Sequence, residues 1–162
     1  EGLAKLMGGR RKFVGKLQMV FDEGLYDPAN EPDIAYAYLF SHFRGEEWRT
    51  QKETRRLLDK YFTTAPDGIP GNDDTGTMSA WAVFTMLGLY PDCPGEPYYT
   101  LTAPVFDRAE IDTDGGTLVI EKRGEGYIRK MTLGDKPLTK YRVGHDELLR
   151  GGKLTFELKN ER

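Results

Sequence analysis

The densest chemistry in the chain lies in GIPGNDDTGTMSAW, residues 68–81. Two adjacent carboxylates, Asp73 and Asp74, stand between glycines and run directly into an apolar stretch of helical character. Thr75 or Thr77 can cap a helix here, and Gly76 lets the backbone turn. Carboxylates in such a place have three uses. They complement the positive end of a helix dipole. One held ionised there can take a proton from water as a general base. Either can ligate a hard cation such as calcium, although the spacing is not that of an EF-hand and the late Glu of that loop is missing. Two like charges exceed what a cap requires. Gly68, Pro70 and Gly71 shape a loop that a ligand could approach closely.

A second set occupies YDPANEPDIAY, residues 26–36. Asn30 and Glu31 come just before Pro32 and an aromatic run. Their carbonyl and carboxylate oxygens suit calcium, and Tyr and Trp faces suit sugar rings. The plainer reading is a loop with a capping Asn, since Asp27-Pro28 is a turn signal. His42 and His145 are isolated and read as structural or exposed. Trp48 reads as packing, and RGEEWRTQKETRR as a solvated face.

The elements that must hold these residues fall into two grammars. Leu3, Leu6 and Met7 fit a short amphipathic turn closed by Gly8-Gly9. Phe13, Leu17, Val20 and Phe21 repeat at helical spacing until Gly24. Pro32 stands at the start of an expected helix over residues 32–43. EEWRTQKETRRLLDKYF puts Trp48, Leu57, Leu58, Tyr61 and Phe62 on one side and charges on the other, as an outer-layer helix does. MSAWAVFTMLG, residues 78–88, is apolar all round and is expected to be buried all round. Alternating outer and inner helices suggest a helical bundle or an α/α toroid.

The period changes in YPDCPGEP, where Pro91, Pro94, Gly95 and Pro97 break the helix. TLVIEK, YIRKMTL and KLTFELK then alternate, the last with Leu154, Phe156 and Leu158 on one face. Two Gly-Gly starts, at 115–116 and 151–152, read as hairpin-like turns. The expectation is an α+β chain. Its helical part covers residues 1–90, and a small antiparallel β unit of four to six strands covers 91–162.

Composition narrows the function classes. The 162 residues are 38% hydrophobic and 30% charged, with a net charge of −3 and no basic stripe, which argues against a nucleic-acid partner. No apolar run reaches the ~18 residues of a membrane span. Cys93 is the only cysteine, so neither an internal disulfide nor a cysteine metal cluster can form.

Four segments occur in order: NEPDIAYAYLF, EEWRTQKETRRLLDKYF, DGIPGNDDTGTMSAWAVFTMLGLYP and YYTLTAPVFDRAEI. Together they resemble the C-terminal part of the family-92 glycoside hydrolases, calcium-dependent exo-acting α-mannosidases. The likeness runs over about residues 1–112, and the closing GGKLTFEL fits the family's end. The resemblance implies an inverting enzyme acting on mannose-containing glycans, secreted or periplasmic, with an N-terminal β-sandwich and an (α/α)6 toroid around one active site. In the family's acidic loop the last carboxylate is the base that activates water, and that position matches Asp74. The positions before it match Asn72, as a substrate contact, and Asp73. Asn30 and Glu31 fall in the region that supplies Ca²⁺ and substrate contacts. The general acid and the β-sandwich would lie upstream, so this segment by itself is expected to be inactive. Where many relatives carry Asp or Glu, this chain has Asn72, and where many carry Gln it has Thr77. The Glu of α-1,2-specific members does not appear before Asn30. A non-catalytic carbohydrate-binding segment that keeps the acidic loop is the alternative. A different α/α-toroid glycosidase, with no calcium requirement, is a third reading.

Overall fold

A computed structural model describes residues 2–161. The chain forms two compact units, Glu1–Ser79 and Ala80–Arg162. The boundary falls inside the last long helix, whereas the change from helix to strand follows Leu87.

The first unit is helical. Helix α1 (Gly2–Leu6) is separated from α2 (Arg10–Asp22) by Gly8 and Gly9, both at positive φ. On α2 the buried residues are Val14, Leu17 and Phe21, one stripe at helical spacing. Gly24, at φ 69°, ends the helix, and the Leu25 amide turns back to the Val20 carbonyl at 2.9 Å. Phe21 stacks on Tyr26 at 5.2 Å between centroids and meets Phe40 at 5.9 Å. Leu3 and Leu6, the apolar residues of the expected amphipathic turn, are 61% and 88% exposed, and Ala4 is the buried residue of α1.

The segment expected as one helix over residues 32–43 is instead two 3₁₀ pieces, Glu31–Asp33 and Tyr36–His42. The reason is local. The Asp33 carboxylate bends back to accept the Asp27 amide, and such side-chain bonds compete with helix propagation. In the second piece Ala37 and Phe40, three apart, are both fully buried, as the threefold repeat of a 3₁₀ turn allows.

Helix α3 (Glu47–Tyr61) runs as the sequence indicates, with Leu57 and Leu58 buried. The solvated face expected over RGEEWRTQKETRR is corrected here, because the buried side also carries Thr50, Gln51, Glu53 and Thr54. They are satisfied in place. The Thr54 hydroxyl donates to the Thr50 carbonyl at 2.7 Å, and Ser41 Oγ to Thr50 Oγ1 at 2.9 Å. Glu53 accepts from Arg56 Nε at 2.7 Å and Gln18 Nε2 at 3.1 Å. Pairing of this kind is the usual condition for burying a carboxylate.

Helix α4 (Thr77–Leu87) is not buried all round. Ser79 and Ala80 are exposed, and Val83 is 52% exposed. An apolar composition fixes how much surface a helix can bury, not how much neighbouring chain is there to cover it.

The second unit holds two sheets. Strands β1 (Leu89–Tyr90), β2 (Tyr98–Leu101) and β7 (Arg142–Gly144) form an antiparallel set. Strands β3 (Arg108–Thr113), β4 (Gly116–Arg123), β5 (Tyr127–Leu133), β6 (Lys136–Pro137) and β8 (Gly152–Lys159) form a second sheet in the order β3-β4-β8-β5-β6. A short helix α5 (His145–Leu149) precedes β8. Leu154, Phe156 and Leu158 fill the core with Leu118, Ile120, Ile128 and Met131, and Phe84 and Leu87 of α4 pack against them.

The expected all-antiparallel unit is corrected at one pairing. Strands β4 and β8 run parallel, with Ile120 opposite Leu154, so the five-stranded sheet is mixed. Gly115-Gly116 closes a β3–β4 hairpin as expected, with Thr113 opposite Gly116, whereas Gly151-Gly152 follows α5 and starts β8 alongside β4 rather than closing a hairpin. A Cβ on Gly151 would sit 2.9 Å from the Gly116 carbonyl carbon, an approach only glycine permits. The count also exceeds the expected four to six strands, because β1, β6 and β7 are only two or three residues long.

Candidate functional site

The acidic loop is built around the start of α4. Residue 76, in the cap position, is a glycine with no side chain to offer the first-turn amides. Asp73 supplies the missing acceptor from three residues upstream. Its Oδ1 accepts the Ser79 amide at 2.8 Å, its Oδ2 accepts the Ser79 hydroxyl at 2.9 Å, and its carbonyl accepts the Met78 amide at 3.3 Å. The cap expected from Thr75 or Thr77 is therefore a carboxylate instead. Thr77 uses its hydroxyl on the Asp74 carbonyl, at 2.8 Å.

Asp74 is held differently. Asp74, Thr75 and Gly76 all take positive φ, at 45°, 62° and 92°. Asp tolerates that region, whereas for β-branched Thr it is an outlier. Such backbone costs on the order of 1–3 kcal/mol per residue and persists only where the surroundings impose it. The strained turn separates two adjacent identical side chains. Asp73 is half-buried with both oxygens engaged, and Asp74 is exposed. Its carboxylate makes no hydrogen bond or ion pair among the described residues. Asn72 is also exposed.

Cap removal gives a measurable expectation. Asp73→Ala orphans the Ser79 amide, and loss of a cap of this kind costs about 0.5–2 kcal/mol. Hydrogen exchange at the first-turn amides of α4 should quicken accordingly. Unchanged protection there would mean that the Asp73 bonds contribute nothing to the helix start.

The second loop is tied by a residue that the sequence reading passed over. Asp33 is 8% exposed. Its Oδ2 accepts the Asp27 amide at 3.2 Å and its Oδ1 accepts Asn30 Nδ2 at 3.2 Å. Asp27 in turn accepts the Ala29 amide on Oδ1 at 2.9 Å. Burial, then the negative charge of Asp33 and a hydrogen bond to it, raise the Tyr36 hydroxyl above its ordinary pKa. The available signal was a carboxylate one residue past Pro32, ahead of an aromatic run. Asn30 and Glu31 are exposed at the tip of this loop. With its nitrogen on Asp33, Asn30 leaves its amide oxygen directed elsewhere.

The two loops touch. Gly71 of the acidic loop lies against Ala29 of the second, so closely that a Cβ on Gly71 would be 2.8 Å from the Ala29 Cβ. Asn72–Asp74 and Asn30–Glu31 thus belong to loops in direct contact. Among the described residues, no three His, Cys, Asp or Glu converge as a metal cage. Asn30 and Glu31 offer the oxygen donors a hard cation takes, as part of a coordination sphere of six to eight. The remaining ligands would be water, main-chain or substrate oxygens, or groups from elsewhere in the protein.

Trp48 lies under the Arg49 guanidinium at 4.5 Å, and His145 Nδ1 is 3.0 Å from the Tyr99 hydroxyl.

Comparison with known proteins gives a consistent result. A family model described as the glycosyl hydrolase family 92 catalytic domain matches residues 1–160. An uncharacterized secreted glycosidase of Arthroderma benhamiae is 33% identical over 167 residues, which is 98% of this chain and 21% of that protein. A family GH92 α-mannosidase from Bacteroides thetaiotaomicron superposes with a TM-score of 0.84 at 28% identity, over 94% of this chain and 22% of its own. A family GH92 inverting mannosidase from the same species reaches 0.86 at 29% identity, over 99% and 26%. The chain therefore spans only about a fifth to a quarter of the length of these relatives.

Proposed function

Because this chain belongs to glycosyl hydrolase family 92, we propose that it contributes the water-activating side of an active site that removes terminal α-linked mannose from glycans. The observation that carries this reading is the division of labour between two neighbouring carboxylates. Asp73 is consumed by the start of α4. Asp74 is turned out by strained backbone and left without a partner in its own unit. Strain of this kind is retained at sites that use it.

The chemistry follows from inversion. One carboxylic acid protonates the leaving oxygen, and one carboxylate, roughly 6.5–9.5 Å away, takes a proton from the water that attacks the opposite face of the sugar. Asp74 is the second group. It projects from the turn that leads into α4. The water's oxygen forms the new bond to the anomeric carbon, its proton passes to Asp74, and the glycosidic electron pair leaves with the departing oxygen. The acid that protonates that oxygen belongs to chain outside this sequence. Asp73 fixes the loop from which Asp74 projects. Asn72 and Glu31 contact sugar hydroxyls. Asn30 and Glu31 would hold part of the shell of a Ca²⁺ ion, which would supply positive charge beside the sugar hydroxyls. The helices of the first unit contribute to an (α/α)6 toroid in the longer protein. Secretion accords with the name of the fungal relative.

The test is release of mannose from simple terminal α-mannosides by the full-length protein that carries this sequence. Turnover supports the proposal. Binding of the same mannosides with no hydrolysis would make the segment a carbohydrate-binding one instead.

A further inference from the structure

We propose that the contact between Gly71 and Ala29 is a steric gauge that sets the spacing of the two site loops, with Gly71 as a positioning residue. The inference rests on the functional reading above, in that the two loops are taken to serve one substrate.

Gly71 is not in the left-handed region, so an alanine there meets no backbone penalty of its own. What it meets is the other loop. Its Cβ would lie 2.8 Å from the Ala29 Cβ and 3.2 Å from the Ala29 Cα. Neither atom can rotate away, because each is fixed to its backbone. One loop has to move.

Both loops resist. The Ala29 side is tied by the Asp27 carboxylate on the Ala29 amide, by the Asn30 amide on the Asp27 carbonyl at 3.1 Å, and by Asp33 on Asp27 and Asn30. The Gly71 side is anchored two residues later, where Asp73 grips Ser79 through both oxygens. A displacement forced at Gly71 is therefore passed to Asn72–Asp74 on one side or to Asn30–Glu31 on the other. The missing side chain at 71 is what lets the two loops come this near while the hydrogen bonds on each side hold them in place.

The test is a double-mutant cycle in the full-length protein. Gly71→Ala should lower kcat/KM on an α-mannoside by about tenfold or more, since misplacement approaching an ångström costs on that order. Ala29→Gly should leave kcat/KM near its starting value. The double variant removes the methyl that clashes and should recover most of the loss. Simple additivity of the two single effects overturns the gauge, because groups that meet only through this contact must couple. Hydrogen–deuterium exchange of the peptides covering residues 27–33 and 68–76 reads the same cycle without activity. Exchange should rise in Gly71→Ala and return in the double variant. An unchanged pattern in Gly71→Ala also overturns the proposal. A protein that hydrolyses no mannoside but shows the exchange cycle keeps the gauge and refutes the functional reading.

Discussion

Asp74→Asn in the full-length protein is expected to lower kcat on α-mannosides by about 10²–10⁴-fold, the range lost when a general base is removed. The amide has the same shape and keeps one acceptor oxygen, so binding of the sugar should persist. It cannot take up the proton that water must lose. Folding should be intact, because the Asp74 carboxylate has no bond in its unit and the Thr77 contacts go to the Asp74 carbonyl, which the substitution keeps. Asn also tolerates positive φ as Asp does, so the turn at 45° survives. Asp73→Asn is the internal control. It retains one acceptor for Ser79 and should cost markedly less in kcat. A dead Asp73→Asn beside a near-normal Asp74→Asn would reverse the roles within the pair. Full activity in both would leave the loop as a helix start and nothing more.

The second large effect concerns the metal. Exhaustive chelation of the full-length protein should bring hydrolysis to background, and added Ca²⁺ should restore it. The physical reason is the donor set. Glu31 presents an exposed carboxylate, and Asn30 is turned so that its nitrogen is spent on Asp33 while its oxygen is not. Oxygen donors on a short loop suit a cation that accepts six to eight ligands in loose geometry, and suit the stricter octahedron of Mg²⁺ less. Glu31→Gln should therefore raise the calcium concentration needed for half-maximal activity. Undiminished turnover after chelation would remove the cation from the account and leave Glu31 with a sugar contact alone.

How far these features can be read from sequence depends on how local their causes are. The helical spacing of Phe13, Leu17, Val20 and Phe21 and the alternation of Leu154, Phe156 and Leu158 are local signals, and the helix and strand they mark are present, although on the helix Val14 is buried with Leu17 and Phe21 while Phe13 and Val20 are only half-buried. The partner of that strand is another matter. Alternation is the same in parallel and antiparallel neighbours, so nothing in KLTFELK distinguishes β4 alongside it from a hairpin. The 3₁₀ pieces after Pro32 depend on where one carboxylate, Asp33, finds its donors, and those lie six and three residues back. The acidic loop was legible as chemistry and illegible as geometry. Asp73 and Asp74 are identical in type and adjacent in chain, and only the sign of φ at three consecutive residues separates the one that caps from the one that projects. The Gly71–Ala29 approach joins residues more than forty apart in sequence, so no local pattern could carry it.

The most direct test of the central claim is the anomeric configuration of the first mannose released, followed by proton NMR before mutarotation mixes the forms. If Asp74 activates water for a single displacement, an α-mannoside gives β-mannose first. First-formed α-mannose would mean that a carboxylate attacks the sugar and a covalent intermediate intervenes, which contradicts the assignment of Asp74 as the base.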